Sequence, residues 1–295
     1  MENKRYIITS DTDSLFFELK DLILKQCPDI DINSREDVIP IALDITDKYQ
    51  KKTIPFLEEL SSSLFNVPNS YFELKQEVIL ERGYFSKKRR YAQFIVNKEG
   101  IPTEELDMKG LDLMKSNFPK IFKDFGEQLL IDVLYGKTKL YVDKKVLAFK
   151  SSIKTMDWKE LLKPTGLKHL GKYIASPPEP GTIFTKLKSR CPINTRSAIY
   201  YNDLMKFHGL NKMYPLFNIG DKMYISYLKN NEYGIKCIGF NGFDDPPLIK
   251  ELISKYIDKD ELFDSALKNK IEGLYSDLSW GVPVWNERFN KFFKF

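Results

Sequence analysis

Two runs of β-forming residues, Arg5-Tyr6-Ile7-Ile8-Thr9 and Leu15-Phe16-Phe17, flank a short polar centre, and the stretch from 5 to 20 therefore predicts a β-hairpin. Ser34 and Asp37 resemble a capping box. After them Ile39, Ala42, Ile45, Tyr49, Ile54, Leu57, Leu60 and Leu64 recur at mostly helical spacing, which predicts a long amphipathic helix over about 35–65 with a bend near Pro55. Strand character returns over Tyr71–Leu80, Tyr84-Phe85 and Tyr91–Val96, ahead of the turn Asn97-Lys98-Glu99-Gly100, and implies a small antiparallel sheet. Helical spacing is expected from about Met108 to Leu134 and from Trp158 to Tyr173. Pro177-Pro178-Glu179-Pro180-Gly181 breaks the pattern as a linker or surface loop. Beyond it the pattern predicts a helix near 197–207, a hairpin pairing Lys222–Leu228 with Gly234–Gly239, and helices near 247–256 and 259–272. The expected class is α+β: a small antiparallel sheet with a long helix, followed by a mainly helical region carrying a β-hairpin insertion.

Composition narrows the chemistry. With 295 residues, 42% apolar and 29% charged, the chain can bury one large core or two modest ones, which excludes a disordered or collagen-like chain. No apolar run reaches the length of a membrane span, and the first residues lack a signal-peptide pattern, so a soluble, cytoplasmic protein is expected. Cys27, Cys191 and Cys237 are too widely spaced for a zinc motif or a disulfide framework. His169 and His208 are the only histidines, so any metal must rest mainly on carboxylates, which favours Mg2+ or Mn2+. The net charge of +5 permits a polyanionic partner, and local clustering has to decide whether there is one.

Two local patterns carry chemistry. Asp11 and Asp13 are two residues apart, and on an extended chain both side chains point to one face, where they can share a divalent cation. Rigid flanking strands would suit phosphoryl or nucleotidyl transfer, which depends on positioning and metal electrostatics. A solvated Asp-x-Asp turn is the plain alternative. The second pattern is Lys87-Lys88-Arg89-Arg90-Tyr91, four consecutive cations ahead of a tyrosine and an apolar strand. Such a run neutralises phosphates without regard to base sequence, and its plain alternative is a solvated charge run or a localisation signal.

Ser10-Asp11-Thr12-Asp13-Ser14-Leu15-Phe16 resembles the motif C hairpin of family B DNA polymerases, Tyr-Gly-Asp-Thr-Asp-Ser, with Ser10 where that family usually has Gly. The resemblance implies that Asp13 is the main ligand of the catalytic metals and that Asp11 is a supporting carboxylate. It also implies that Glu77 is a further carboxylate of the palm. Lys87–Tyr91 resembles the Lys-Lys-Arg-Tyr element that follows motif C in phage replicative polymerases, with Arg89 in the place of its minor-groove Lys. Leu106–Asp112 and Ser116-Asn117-Phe118-Pro119 resemble the segments opening the family's thumb, where Lys109 would approach the primer backbone. Lys188-Ser189-Arg190-Cys191-Pro192-Ile193-Asn194-Thr195-Arg196 and Lys236-Cys237-Ile238 resemble further segments of T-even-like phage polymerases, placing Arg196 among the DNA-binding residues. Without that likeness, Cys191 and Cys237 are small core residues.

The implied division is a distal palm over 1–100, a thumb over 101–288 and a tail over 289–295. The tail carries Phe289, Phe292, Phe293 and Phe295, which resemble the aromatic anchor that enters a sliding clamp; docking on the chain's own thumb is the plain alternative. Motif A, the finger helix and the exonuclease of the family have no counterpart here. The resemblance therefore implies a C-terminal subunit of a split, viral polymerase in an infected cell, acting on primer–template DNA and dNTP with a partner that carries the rest. Two other readings stay open: a non-catalytic DNA- or clamp-binding module, and a glycosyltransferase whose Asp-x-Asp holds Mn2+ and a nucleotide sugar.

Overall fold

The computed structural model describes residues 6–11, 14–67, 74–111, 118–242, 244–283 and 285. The fold is α+β, with small antiparallel sheets and many helices. The chain divides into two compact units, Met1–Leu111 and Asp112–Phe295.

In the first unit, β1 (Ile7–Asp11) and β2 (Ser14–Phe17) form the expected hairpin, with Asp11 opposite Ser14. A short helix α1 (Lys20–Gln26) follows, and then α2 (Arg35–Phe65). Ser34 caps α2: its hydroxyl accepts from the Asp37 amide and donates to the Asp37 carboxylate at 2.6 Å. Asn66, in a left-handed conformation, closes the other end, with its amide donating to the Ser61 carbonyl. Strands β3 (Val78–Lys87), β4 (Arg90–Lys98) and β5 (Ile101–Lys109) make an antiparallel meander in that order. The turn from β4 to β5 puts Glu99 and Gly100 at positive φ, the twist that two-residue hairpins favour. Ile23, Ala42, Ile45, Ile79, Phe94 and Val96 form a core between the helices and one sheet face. Arg35 pins the start of α2 to the sheet. Its guanidinium bonds Glu81 on β3 at 2.5 Å and Glu104 on β5 at 2.6 Å, and lies 5.4 Å from the centre of the Phe94 ring on β4.

The second unit opens with α3 (Lys120–Leu134) and α4 (Lys139–Ser152), packed through Phe122, Phe125 and Phe149, the last two stacked 3.8 Å apart. After α5 (Trp158–Leu161), strand β6 (Lys163–Gly166) joins a three-stranded sheet with β9 (Lys222–Tyr227) and β10 (Cys237–Phe240), in the order β10-β9-β6. Between β6 and β9 lie β7 (Ile174–Ser176), which pairs with β8 (Lys186–Leu187), and helix α6 (Ile193–Phe207), which packs on β10. Helices α7 (Pro247–Tyr256), α8 (Lys259–Phe263) and α9 (Asn269–Asp277) end the unit, the last two linked by a wider helical turn over Asp264–Lys268. Cys191 and Cys237 are buried thiols outside any disulfide. The loop through Pro177–Gly181 has no regular structure, as its prolines require.

Several elements differ from the sequence expectation. The strand expected from Tyr71 begins at Val78; Leu74–Glu77 is irregular and Tyr71–Phe72–Glu73 lies outside the described residues. The helix expected from Met108 begins only at Lys120, because Ile101–Lys109 is a strand: pairing with the buried β4 overrides a Glu-rich sequence with weak β preference, and its charges suit an exposed edge. The unit boundary accordingly falls at Leu111 rather than near residue 100. The helix expected over Trp158–Tyr173 stops at Leu161, since Pro164 disfavours helical backbone at Lys163 and Gly166 and Gly171 follow. Helices α1 and α4 were not expected; α4 buries only Val142 and Val146, too thin a stripe to read as a pattern.

Asp203 ties this second unit together, since its buried carboxylate accepts from the Thr185 amide at 2.8 Å and the Thr185 hydroxyl at 3.0 Å. Replacing it orphans both buried donors. Asp203→Ala is expected to lower the unfolding free energy by about 2 kcal/mol, measured by urea denaturation, with Asp203→Asn costing less because it keeps one acceptor.

Candidate nucleic-acid interface

The hairpin tip is built from three physical constraints. Backbone pairing between β1 and β2 places Asp11 at the end of its strand, directly before the two-residue connection. The ring of Phe16 packs 5.3 Å from Phe85 and 5.8 Å from Tyr91, and those two rings are 5.8 Å apart, so an aromatic trio fastens the hairpin to β3 and β4. The turn Lys88-Arg89 between β3 and β4 then lies against Asp11. Arg89 donates to Asp11 through Nε and, at 3.2 Å, through a terminal nitrogen; Lys88 Nζ lies 3.2 Å from Asp11 Oδ1. These contacts, from Arg89 first and Lys88 next, hold the Asp11 carboxyl well below the usual carboxylate range.

Arg89 occupies left-handed backbone with φ of 61°, unusual for a residue with a side chain. Its carbonyl is covered by Gly110, where a Cβ would fall 2.0 Å from the Arg89 oxygen and where φ is also positive. A glycine directly after β5 is thus required by the packing of the basic turn. Lys109, opposite Tyr91 on β4, places Nζ 3.4 Å from Asp107 and 5.9 Å from the centre of the Tyr91 ring. Asp107 and then Tyr91 raise the Lys109 pKa, so it stays cationic. Gln93, buried on β4, donates to Asp107 at 2.8 Å and so fixes the partner of Lys109. Lys87 and Arg90 flank the turn as the last β3 and first β4 residues, paired in register.

Asp11, Lys88, Arg89, Tyr91 and Lys109 are therefore brought to one end of the meander. Glu77 is not. It precedes β3 at the opposite end, exposed, with its carbonyl accepting from the Glu99 amide at 2.8 Å. The length of β3, roughly 30 Å at the usual rise per residue, separates it from the basic turn. Asp13, Ser116 and Asn117, and the tail residues Phe289, Phe292, Phe293 and Phe295, lie outside the described residues.

Among the described residues, no group of three or more His, Cys, Asp or Glu side chains is arranged to hold a metal ion. As it stands, Asp11 does not fit a divalent cation, because a guanidinium and an ammonium occupy its oxygens. A cleft of about 750 Å³ opens between the hairpin, α2 and β3, lined mainly by apolar residues such as Ile8, Phe16, Ile23, Val38 and Ala42; among the described residues, Asp11 is not part of its lining.

In the second unit, residues 163–196 carry seven Lys and Arg against the single acid Glu179. Pairing of β7 with β8 brings Lys172 and Lys188 together: Lys188 Nζ donates to the Lys172 carbonyl at 2.9 Å. Arg196 has a structural contact, donating to the Cys191 carbonyl at 3.2 Å, while Thr195 and Asn194 bond the His169 and Gly166 carbonyls. The aromatic trio and the gathered lysines were missed by sequence reading; a count of acids along 163–196 is the signal that would have found the latter. Among the described residues, no helix is long and apolar enough to cross a membrane.

No protein-family model matches this chain, and no curated protein matches its sequence.

A Cβ at position 110 cannot be accommodated without moving the basic turn. Gly110→Ala is expected to destabilise the first unit by about 2 kcal/mol or more, read by urea denaturation. It should also speed hydrogen exchange at the Lys88–Tyr91 amides.

Proposed function

We propose that these 295 residues are the palm-and-thumb portion of a family B-type DNA polymerase, binding primer–template duplex and acting with motif A, finger and exonuclease elements carried elsewhere. One observation carries the reading: an acid hairpin and a basic-aromatic turn, 78 residues apart between Asp11 and Arg89, meet in one cluster. Catalysis on a nucleic-acid end needs both, acids to hold the metal ions that take up the charge of the reacting phosphate and cations for the duplex backbone. Lys88 and Arg89 keep about two-thirds of their side-chain surface exposed, and Lys87, Arg90 and Lys109 extend the positive charge along the same edge. The basic stretch of the second unit adds phosphate-binding capacity. Support for a protein partner comes from exposed apolar side chains on the hairpin, Ile7, Ile8 and Leu15, and on α2, Phe56, Leu64 and Phe65.

On this reading Lys88 and Arg89 neutralise backbone phosphates, Tyr91 and Lys109 support the duplex beside them, and Asp13 belongs to the reacting centre, whose further ligands come from the motif A element. Mg2+ or Mn2+ would stabilise the charge of the transferring phosphoryl group. The engagement of Asp11 by two cations favours a second reading, a non-catalytic duplex- or clamp-binding module in which the acid is structural. The glycosyltransferase reading has less support: it leaves the basic cluster without a role, and the cleft of the first unit lacks Asp11 among its described lining residues.

Duplex binding by the 295-residue chain, followed by fluorescence anisotropy across a salt series, tests the interface. Lys88→Ala with Arg89→Ala is expected to weaken binding and to reduce the log–log salt slope by about 2. Unchanged binding rejects this interface. In primer extension with the complementary polymerase portion added, Asp13→Ala is expected to abolish extension while leaving duplex affinity nearly intact; retained extension would select the non-catalytic reading.

A further inference from the structure

Asp11 and the basic turn neutralise one another, which is at odds with each acting alone. The carboxylate is only a quarter exposed, and both of its oxygens receive cationic donors. The donors remain 66% and 71% exposed, so a polyanion can reach them from solvent. We infer that Asp11, Lys88 and Arg89 form an electrostatic latch in which Asp11 competes with nucleic-acid phosphate for the two cations. This deepens the proposed function and rests on it for the identity of the polyanion.

The physical basis is competition between two anions for the same donors. An exposed ion pair is individually weak and screened by salt, so a phosphate array that offers several charges at once outcompetes one carboxylate. The hairpin cannot swing away to settle the contest, because the Phe16–Phe85–Tyr91 trio holds it against the sheet. Release therefore consists of side-chain rotation by Lys88 and Arg89 about a fixed backbone, with Arg89 held by its left-handed turn and by Gly110 beneath its carbonyl. Duplex binding would uncover the Asp11 carboxylate at the moment the cations leave it, which accounts for the poor fit of Asp11 as a cation ligand beforehand. By linkage, whatever stabilises the uncovered carboxylate strengthens duplex binding to the same extent.

Asp11→Asn, which keeps the shape and removes the charge, tests the latch in the full chain. Its binding to a 20-base-pair duplex is expected to tighten roughly threefold to tenfold at low salt, with a steeper salt dependence, because one competing anion is removed from beside the two donors. Elution from immobilised heparin provides a readout independent of DNA, and Asp11→Asn should elute at higher NaCl than the unaltered chain. Thermal unfolding of each variant confirms that the comparison is between folded chains, and Asp11→Ser repeats it with a different side chain. If both Asp11 variants leave heparin elution and duplex affinity unchanged while Lys88→Ala with Arg89→Ala weakens duplex binding, the latch is wrong and the interface stands. If the Asp11 variants bind heparin more tightly but the double cation variant leaves duplex affinity untouched, the latch stands and the DNA assignment falls. No response in any assay removes both.

Discussion

A two-stranded hairpin as short as Ile7–Phe17 cannot hold its own shape in water, since one ladder of backbone bonds does not offset the entropy of ordering the chain. The hairpin carrying Asp11 therefore takes its position from its contacts with the β-meander. Phe16 against Phe85 and Tyr91 supplies the apolar part of that contact, and Asp11 against Lys88 and Arg89 supplies the polar part. The two act on the same short element at different points. The rings fix where the hairpin lies, and the charges fix which way its tip faces.

The meander can serve as a platform because its own geometry is strongly determined. Strand β4 is buried along nearly its whole length, Arg35 spans all three strands, and Gly110 leaves room for the backbone of the basic turn. Cations on a floppy loop would lose entropy on binding a phosphate array; on a fixed turn that cost is already met during folding. The same rigidity makes mutual neutralisation by Asp11 possible, because donors and acceptor are held within reach before any ligand arrives.

The second unit uses buried polar side chains for a similar purpose. Asp203 holds Thr185, Asp245 accepts from the amides of Asn241 and Gly242, and buried Thr195 and half-buried Asn194 and Arg196 bond the carbonyls of His169, Gly166 and Cys191 respectively. Burial pushes the Asp245 pKa up while those two amides pull it down, with burial the larger effect. Long irregular segments between β6 and α6 are thus shaped by hydrogen bonds that a hydrophobic pattern does not record.

Much was legible from the sequence: the α+β class, the long helix with its Ser34 cap, the first hairpin, the β9–β10 hairpin and the α7–α9 region all follow from local periodicity and turn chemistry, which act over a few residues. The acid pair and the basic run were equally legible as residue types. Pairing across long sequence separation was not. Only the tertiary structure gave Asp11 its cationic partners from 77 and 78 positions away, put Glu77 at the far end of β3, and made a strand of the Glu-rich β5 by setting it beside β4. It also turned Arg196 toward the Cys191 carbonyl. The reason is common to these cases: a side chain's charge is a local property of the sequence, while the group that neutralises it is chosen by which segments the core brings together.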